Sequence, residues 1–286
     1  RMERGHSEDD AAATISALGV TGLISLDLPT LSSNAPNTSA PSGWDLLVNH
    51  TQLWKDIVYA QVHAFNSAQW RERHAPLLHW QLGNEINGCM FNAVPVLNVT
   101  DCSFSGPIWN SAMQRETYAN LFFGPTAEAV RRASTDAYGD PTQVQIVLGS
   151  VANAFSDRSL AWLDSLLGHE IVSPDTAPSL HGKRVVDAVQ IASVHYLVTH
   201  WSEPAATSVA ATVPTTPGGQ WQAQLDRIAT WLQPAGPLAG VWATEEHGKS
   251  GYGVVTAWKV LSRWLQWWVT RAAVGKNFTY PCTHSS

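Results

Sequence analysis

The chain has 286 residues, a formal net charge of −6 and only 14% charged residues, with no block of like charges. Nucleic-acid-binding surfaces need clustered lysine and arginine side chains, so this composition argues against a nucleic-acid partner. The sequence also contains no run of about 18 apolar residues, which argues against a membrane-spanning helix. The length suits a single domain, residues 1–286, built around one large core.

Apolar periodicity and turn residues divide the chain into alternating helices and strands. In chain order they predict a helix at 8–18, a strand at 21–28, a helix at 44–67, a strand at 77–85, a helix at 114–138 broken at Gly124-Pro125, a strand at 144–149, a helix at 157–167, a strand at 188–196, a helix at 218–232, a strand at 239–245, a helix at 254–271 and a short strand at 278–282. Such alternation is typical of an α/β fold with a parallel sheet.

Two of the predicted strands end in carboxylates. The apolar run at 77–82 passes through a glycine into Asn84 and Glu85, and the strand at 239–245 ends at Glu245 beside Glu246. Because parallel strands bring their carboxyl ends to one edge of a sheet, these endings predict two carboxylates in one site. The first stretch has an alternative interpretation as a helix N-terminus, with Asn84 as the capping residue and Glu85 in the first turn.

The two strand ends resemble the acid/base and nucleophile strands of glycoside hydrolase clan A, whose members are retaining glycosidases on a TIM barrel. The matching segments are Trp80-Gln81-Leu82-Gly83-Asn84-Glu85 and the Trp-x-x-Glu of residues 242–245. Within the clan, the heparanase/β-glucuronidase-like family is most similar, and the xylosidase/iduronidase-like and galactocerebrosidase-like families follow. The resemblance implies an O-glycosyl hydrolase that acts on an oligosaccharide or glycoconjugate, with β-glucuronides as the first expectation.

The strand count modifies the expected fold. A TIM barrel has eight strands, whereas six are predicted here. If Glu85 and Glu245 match the clan's fourth and seventh strands, the chain covers about strand 3 to strand 8. We therefore expect an α/β fold, a (β/α)8 TIM barrel lacking its first two strands within this chain. An open barrel exposes strand edges, so a second chain or segment is expected to supply the missing strands, as a small subunit does in the heparanase-like family.

The resemblance also implies a role for each residue of the carboxylate pair. Glu85 corresponds to the acid/base, Glu245 to the nucleophile, and Asn84 to the residue that bonds the sugar 2-hydroxyl. Retaining enzymes place the two carboxyl groups about 5 to 5.5 Å apart. Glu246 is the alternative nucleophile, because it stands in a Glu-x-Gly context that other families of the clan share.

Four further residues are candidates for substrate binding. His195 and Tyr196 end the strand before the nucleophile, where clan members carry a His or Tyr that bonds the nucleophile or the sugar; the alternative for His195 is a core histidine. Trp242 offers an indole platform for a sugar ring, with core filling as the alternative, which is the expectation for Trp80. Gly251 stands near the position where the heparanase-like family sets a backbone N–H against a uronate carboxylate. No phosphate loop, nucleophile elbow or zinc-binding histidine pair is present, so neither a cofactor nor a metal is expected.

Cysteines and glycosylation signals predict the compartment. Cys89 and Cys102 lie in one predicted loop and are expected to form a disulfide, which leaves Cys282 over. Asn-x-Ser/Thr sequons begin at Asn37, Asn49, Asn98 and Asn277. These features favour a secreted or lysosomal glycoprotein. A second hypothesis is a catalytically silent barrel that binds carbohydrate or builds an extracellular assembly, although such a barrel has no physical need for two like charges in one site.

Overall fold

A computed structural model of the protein describes residues 22–27, 43–88, 109–152, 157–173, 178–195, 238–245 and 278–279, and the single residues 17, 176 and 230. The predicted helices at 8–18, 218–232 and 254–271 fall almost entirely outside these ranges. The described elements are β1 (Leu23–Leu26), α1 (Gly43–Asn49), α2 (Thr51–Ala64), α3 (Ala68–Arg71), β2 (His79–Leu82), α4 (Ala112–Thr117), a π-helix (Tyr118–Phe123), α5 (Gly124–Tyr138), β3 (Gln145–Leu148), α6 (Asp157–Leu167), a 3₁₀-helix (Val185–Asp187), β4 (Ile191–His195), β5 (Gly240–Glu245) and β6 (Phe278–Thr279).

The strands form one parallel sheet in which their spatial order is their order along the chain, β1-β2-β3-β4-β5-β6. Every described pairing between these six strands is parallel, from Leu23 opposite His79 at one end to Trp242 opposite Thr279 at the other. A parallel pair needs a long crossover, and the helices in the described crossovers supply it. The predicted α/β class with a parallel sheet is therefore confirmed, and each predicted strand has a counterpart in the sheet.

The two faces of the sheet differ in polarity, because successive side chains along a strand point to opposite faces. The apolar face packs against the helices and contributes buried side chains to the core, among them Trp80, Leu82, Ile146, Leu148 and Val194. We call the other side the polar face; it is defined by Ser25, Gln81, Ser193, His195 and Thr244. The buried Trp80 is thus core filling, as expected.

Side chains on the polar face meet across strands that are not neighbours. Ser193 on β4 donates to Gln81 Oε1 on β2 at 3.1 Å, with β3 between them. The rings of His79 on β2 and Trp242 on β5 lie 5.0 Å apart between centroids. In a flat sheet these strand pairs would be about 10 and 14 Å apart. The polar face is therefore concave, and its side chains lean toward one another.

The long helix predicted at 44–67 is two helices that meet at His50, whose φ of −136° and ψ of 39° lie outside the helical region. The Thr51 hydroxyl donates to the Leu47 carbonyl at 2.7 Å, so a side chain takes an acceptor that a helical N–H would otherwise use. The backbone ladder restarts when Trp54 N–H donates to the His50 carbonyl at 3.1 Å. Apolar periodicity did not reveal this break, because the buried stripe continues on both sides of it.

The predicted break at Gly124-Pro125 is instead a change of helix type. α4 continues through the π-helix into α5 without interruption, and Pro125 lies in the first turn of α5. Proline has no N–H to donate to the preceding turn, and the wider i→i+5 turn of a π-helix accommodates this loss. At the other end, Gly139 ends α5 with a left-handed φ of 73°, a common conformation for a glycine that follows a helix.

Candidate functional site

The segment after β2 is a tight turn and not a helix N-terminus. Gly83 has φ 93° and Glu85 has φ 47°, so both residues adopt left-handed backbone conformations. Gly88 N–H donates to the Glu85 carbonyl at 2.8 Å and closes the turn. The capping interpretation of Asn84 and Glu85 is therefore wrong. A left-handed glutamate costs of order 1 kcal/mol, and such residues are found where the surroundings hold them, often at functional sites.

Ser150, just after β3, holds this turn through three hydrogen bonds. Its Oγ accepts the Glu85 backbone N–H at 3.0 Å and donates to Asn84 Oδ1 at 3.0 Å. Its carbonyl accepts the Ile86 N–H at 2.9 Å. The left-handed conformation of Glu85 is thus stabilised by a neighbouring strand end that follows it by 65 residues.

Two buried amides fix the remainder of the turn. The Asn87 side chain donates to the Ala152 carbonyl at 3.0 Å and accepts the Ala152 N–H at 2.7 Å, which ties the turn to the segment after β3. Gln114 Nε2 donates to the carbonyls of Ile86 and Gly88 at 2.7 and 2.8 Å. The turn therefore keeps its shape through side chains that contribute no group to the solvent-accessible site.

Beneath the turn, the ends of β2 and β3 are in close contact. Tyr118 Oη donates to the Leu82 carbonyl at 2.7 Å and accepts the Gly149 N–H at 3.2 Å. A Cβ at position 149 would lie only 2.4 Å from Ile86 Cγ2. Burial strongly raises the pKa of the Tyr118 hydroxyl, which therefore stays protonated and can donate this hydrogen bond.

His195, at the end of β4, contacts Glu85 from the other side. The distance from His195 Nδ1 to Glu85 Oε1 is 3.5 Å, and His195 is only 1% exposed while the Glu85 side chain is 17% exposed. The backbone N–H of His195 also donates to the Val151 carbonyl at 2.9 Å. His195 is therefore buried, as the core alternative required, but its ring also faces a predicted site residue.

The end of β5 brings Glu245 to the same edge of the sheet. Val194 is opposite Ala243, but the next pair is His195 opposite Glu245, so Thr244 is an extra residue in β5. Such a bulge bends the strand and changes the register of the residues that follow. The backbone of Glu245 thus lies beside His195, the residue that contacts Glu85.

Asp27, which follows β1, is a carboxylate that the sequence analysis did not select. Burial raises the pKa of its carboxyl, while hydrogen bonds from Ser25 and from the Asn84 backbone N–H, together with the nearby His195, oppose that rise. The residue is nevertheless exposed to solvent. The hydrogen bond from the Asn84 backbone places Asp27 beside the turn that carries Glu85. Its signal in the sequence was a single acidic residue at a strand end before Pro29, the same kind of ending that identified Glu85.

Gln81 is a second residue that the sequence analysis passed over as a site component. It is 3% exposed, accepts from Ser193, and donates to the Gly83 carbonyl at 3.1 Å, with a longer contact of 3.5 Å to Ser25 Oγ. Ser193 in turn hydrogen-bonds Thr244. This chain of polar contacts links β1, β2, β4 and β5 directly below the turn. In the sequence, Gln81 could have been recognised as the one glutamine inside a largely apolar strand.

The other predicted site residues have different outcomes. Trp242 is half-buried on the concave face beside His79. Tyr196, Glu246 and Gly251 lie outside the described residues, as do the three cysteines, so their predictions remain predictions. Within the described ranges, no cluster of three or more His, Cys, Asp or Glu side chains has the arrangement of a metal site. None of the helices described is both long and apolar enough to cross a membrane.

Comparisons with known proteins add no family assignment: the chain matches no protein-family model and no curated protein.

Proposed function

We propose that the protein is a retaining glycoside hydrolase in which Glu85 and Glu245 form the carboxylate pair. The observation that carries this proposal is the convergence of three strand ends: Glu85 contacts His195, and His195 stands opposite Glu245 in the β4–β5 ladder. Two further observations support a site at this edge of the sheet: Glu85 is held in a left-handed conformation, and the Asp27 carboxyl accepts a hydrogen bond from the Asn84 backbone. The resemblance to glycoside hydrolase clan A gives the reaction class.

We further propose that the six strands are strands 3 to 8 of a TIM barrel whose first two strands come from another chain or segment. The stagger on the polar face supports this. Register runs from Gln81 through Val147 to Ile191, yet Gln81 bonds Ser193, two residues further along and two strands away. A stagger of about one residue per strand is that of an eight-stranded barrel with the TIM shear. The sequential parallel order and the concave polar face agree with such a barrel.

In the proposed reaction, the Glu245 carboxylate attacks the anomeric carbon while the protonated Glu85 gives its proton to the departing glycosidic oxygen. The glycosidic C–O bond breaks and an ester to Glu245 forms. Glu85, now ionised, takes a proton from water, and the resulting hydroxide oxygen displaces Glu245 from the anomeric carbon. Two inversions give net retention, and Glu85 recovers its proton. Asn84 contacts the sugar 2-hydroxyl, and Tyr196, Trp242 and Gly251 contribute to substrate binding.

The ladder register supports Glu245 over Glu246 as the nucleophile. Residues that oppose each other in a ladder lie on the same face of the sheet, and Glu245 opposes His195. His195 itself lies on the polar face and contacts Glu85. The bulge at Thr244 sets this register and makes Glu245 the residue opposite His195.

The test is hydrolysis of a panel of 4-nitrophenyl glycosides, beginning with the β-glucuronide, by the protein isolated from its source with any associated polypeptide. Glu245→Gln is expected to abolish turnover with the fold intact. Glu85→Gln is expected to slow substrates with poor leaving groups and to spare 4-nitrophenyl glycosides in the first step, which needs little protonation. NMR of the first-formed product should show the anomeric configuration of the substrate.

Two control variants sharpen this test. Glu246→Gln should retain activity. If Glu246→Gln is inactive and Glu245→Gln is active, Glu246 and not Glu245 is the nucleophile. Glu72→Gln, at an exposed position in the described structure, should behave as wild type. If no glycoside is hydrolysed while a glycan array shows binding, the silent carbohydrate-binding barrel replaces the enzyme. The proposed secreted or lysosomal location is tested separately: an enzyme that removes N-linked glycans should reduce the mass of the purified chain.

A further inference from the structure

Ser150 forms hydrogen bonds with Asn84 and Glu85, two neighbouring residues that have roles in the proposed function. It is fully buried, and its one hydroxyl group bonds both the Glu85 backbone and the Asn84 side chain. We propose that Ser150 is a positioning residue that determines which end of the Asn84 amide faces the substrate. The consequence for specificity rests on the proposed function, whereas the position of the amide does not.

The donors and acceptors of the hydroxyl decide the orientation of the amide. A serine hydroxyl has one proton and two lone pairs. The Glu85 N–H occupies one lone pair, so the proton needs an acceptor, and Asn84 Oδ1 is that acceptor at 3.0 Å. If the amide were reversed, Asn84 Nδ2 would donate to the same oxygen. The buried hydroxyl proton would then have no acceptor among the described residues, which is unfavourable.

With Oδ1 directed at Ser150, the Asn84 Nδ2 group is left for the accessible side of the site. No acceptor among the described residues bonds Nδ2, and Asn84 is half-buried. The site therefore offers a hydrogen-bond donor at this position. The substrate group that meets it must supply a lone pair, as a hydroxyl or ether oxygen does. A protonated amine has no lone pair to offer, so glycosides with a free 2-ammonium group are expected to be rejected.

The same hydroxyl also couples the orientation of Asn84 to the backbone of Glu85. Both bonds are 3.0 Å long and share one oxygen atom. Loss of that oxygen would release the Asn84 amide to rotate and would leave the left-handed Glu85 N–H without its partner. A purely structural serine would affect stability alone, whereas a positioning serine also affects how the site distinguishes substrates.

Ser134 provides a matched control. It is also fully buried, its Oγ accepts the Val144 N–H at 3.0 Å, and it donates to the Asp140 carbonyl at 2.6 Å. It therefore makes the same pair of bonds as Ser150, but at the end of α5 and the start of β3, away from the site. Ser134→Ala and Ser150→Ala should lose stability to a similar degree. A difference in substrate specificity between the two variants would therefore come from the location of Ser150 at the site.

The kinetic experiment compares the best 4-nitrophenyl glycoside with its 2-deoxy analogue. Wild type should prefer the 2-hydroxy substrate by about 100-fold or more in kcat/KM. Ser150→Ala should reduce this preference to below about tenfold, mainly by lowering kcat for the 2-hydroxy substrate. The reason is that the hydrogen bond between Asn84 Nδ2 and the sugar 2-hydroxyl strengthens in the transition state. Ser134→Ala should keep the wild-type preference, and Ser150→Thr, which restores a hydroxyl, should recover most of it. An unchanged preference in Ser150→Ala overturns the proposal.

An NMR measurement decides the position of the amide without any activity. In the wild-type protein the Asn84 Nδ2 protons should exchange rapidly with water while the Glu85 N–H exchanges slowly. Ser150→Ala should accelerate Glu85 exchange about tenfold or more, with Ser134→Ala as the control. Slow exchange of the Asn84 Nδ2 protons in the wild type refutes the proposed orientation, even if Ser150→Ala fails to fold. If no glycoside is hydrolysed, the proposed function fails, and this measurement still decides the role of Ser150.

Discussion

Replacement of Gly149 by alanine tests whether the contact between the ends of β2 and β3 controls the candidate site. A Cβ at this position would lie 2.3 Å from the Leu82 carbonyl oxygen and 2.4 Å from Ile86 Cγ2. Ordinary contacts of carbon are about 3.5 Å, so the neighbours would have to move by about 1 Å. The Leu82 carbonyl cannot move freely, because Tyr118 holds it at 2.7 Å. The expected cost is about 1–3 kcal/mol in the free energy of unfolding, or more.

The same displacement should reach the turn that carries Glu85, since Ile86 is one of the two residues displaced. A misplacement of about 1 Å in a catalytic group reduces rates by about 100-fold. The assay is urea denaturation of Gly149→Ala, together with kcat/KM on the best glycoside. Gly168→Ala is the control: its Cβ would meet nothing closer than 3.6 Å, so stability should change by less than about 1 kcal/mol. Wild-type stability and activity in Gly149→Ala would refute this account of the strand ends.

Two further predictions concern the Tyr118 hydroxyl and the Asp27 carboxyl. In urea titration, Tyr118→Phe should lower the free energy of unfolding by about 2–4 kcal/mol, because the Leu82 carbonyl and the Gly149 N–H lose their hydrogen bonds to the buried hydroxyl. Tyr59→Phe is the control: its hydroxyl is more exposed, so the free energy of unfolding should change by less than about 1 kcal/mol. Asp27→Asn should gain stability relative to wild type as pH rises: the folded pKa of Asp27 is raised above its unfolded value, so the wild type loses stability as pH rises through that folded pKa. Parallel stability profiles of the two proteins from acid to neutral pH would contradict this reasoning.

Much of the fold was accessible from the sequence because buried strands and helices leave local signals. The helix at Asp157–Leu167 has the predicted bounds, and β1 to β6 all lie within or beside predicted strands. The break at His50 left no such signal, because it depends on a side-chain hydrogen bond of Thr51 and not on a change in periodicity. The π-turn before Pro125 was read as an interruption, since proline alone does not indicate how the preceding turn adapts.

The candidate site was only partly predictable for a related reason. Asn84 and Glu85 could be selected because they follow an apolar run, and the parallel sheet explains why they meet other strand ends. The residues that hydrogen-bond them could not be selected from the sequence. Ser150 is one serine among many, and only the fold brings it to Glu85. Likewise, the bulge that sets Glu245 opposite His195 is a property of the β4–β5 pairing, which no local pattern specifies. Long-range contacts therefore account for most of what the sequence analysis missed.

The sequential order of the strands also has a consequence for how the protein is made. Each strand pairs with the one synthesised just before it, so the growing sheet can add strands at one edge as the chain emerges from the ribosome. The turn at Glu85 must nevertheless wait for its supports, since Ser150 follows by 65 residues and His195 by 110. A nascent or truncated chain that ends within α4 or α5 would carry the Asn-Glu motif without the contacts that give it its shape. Assembly of the site is therefore expected to be a late event in folding, and damage to β4 should disable the motif while leaving its own strand intact.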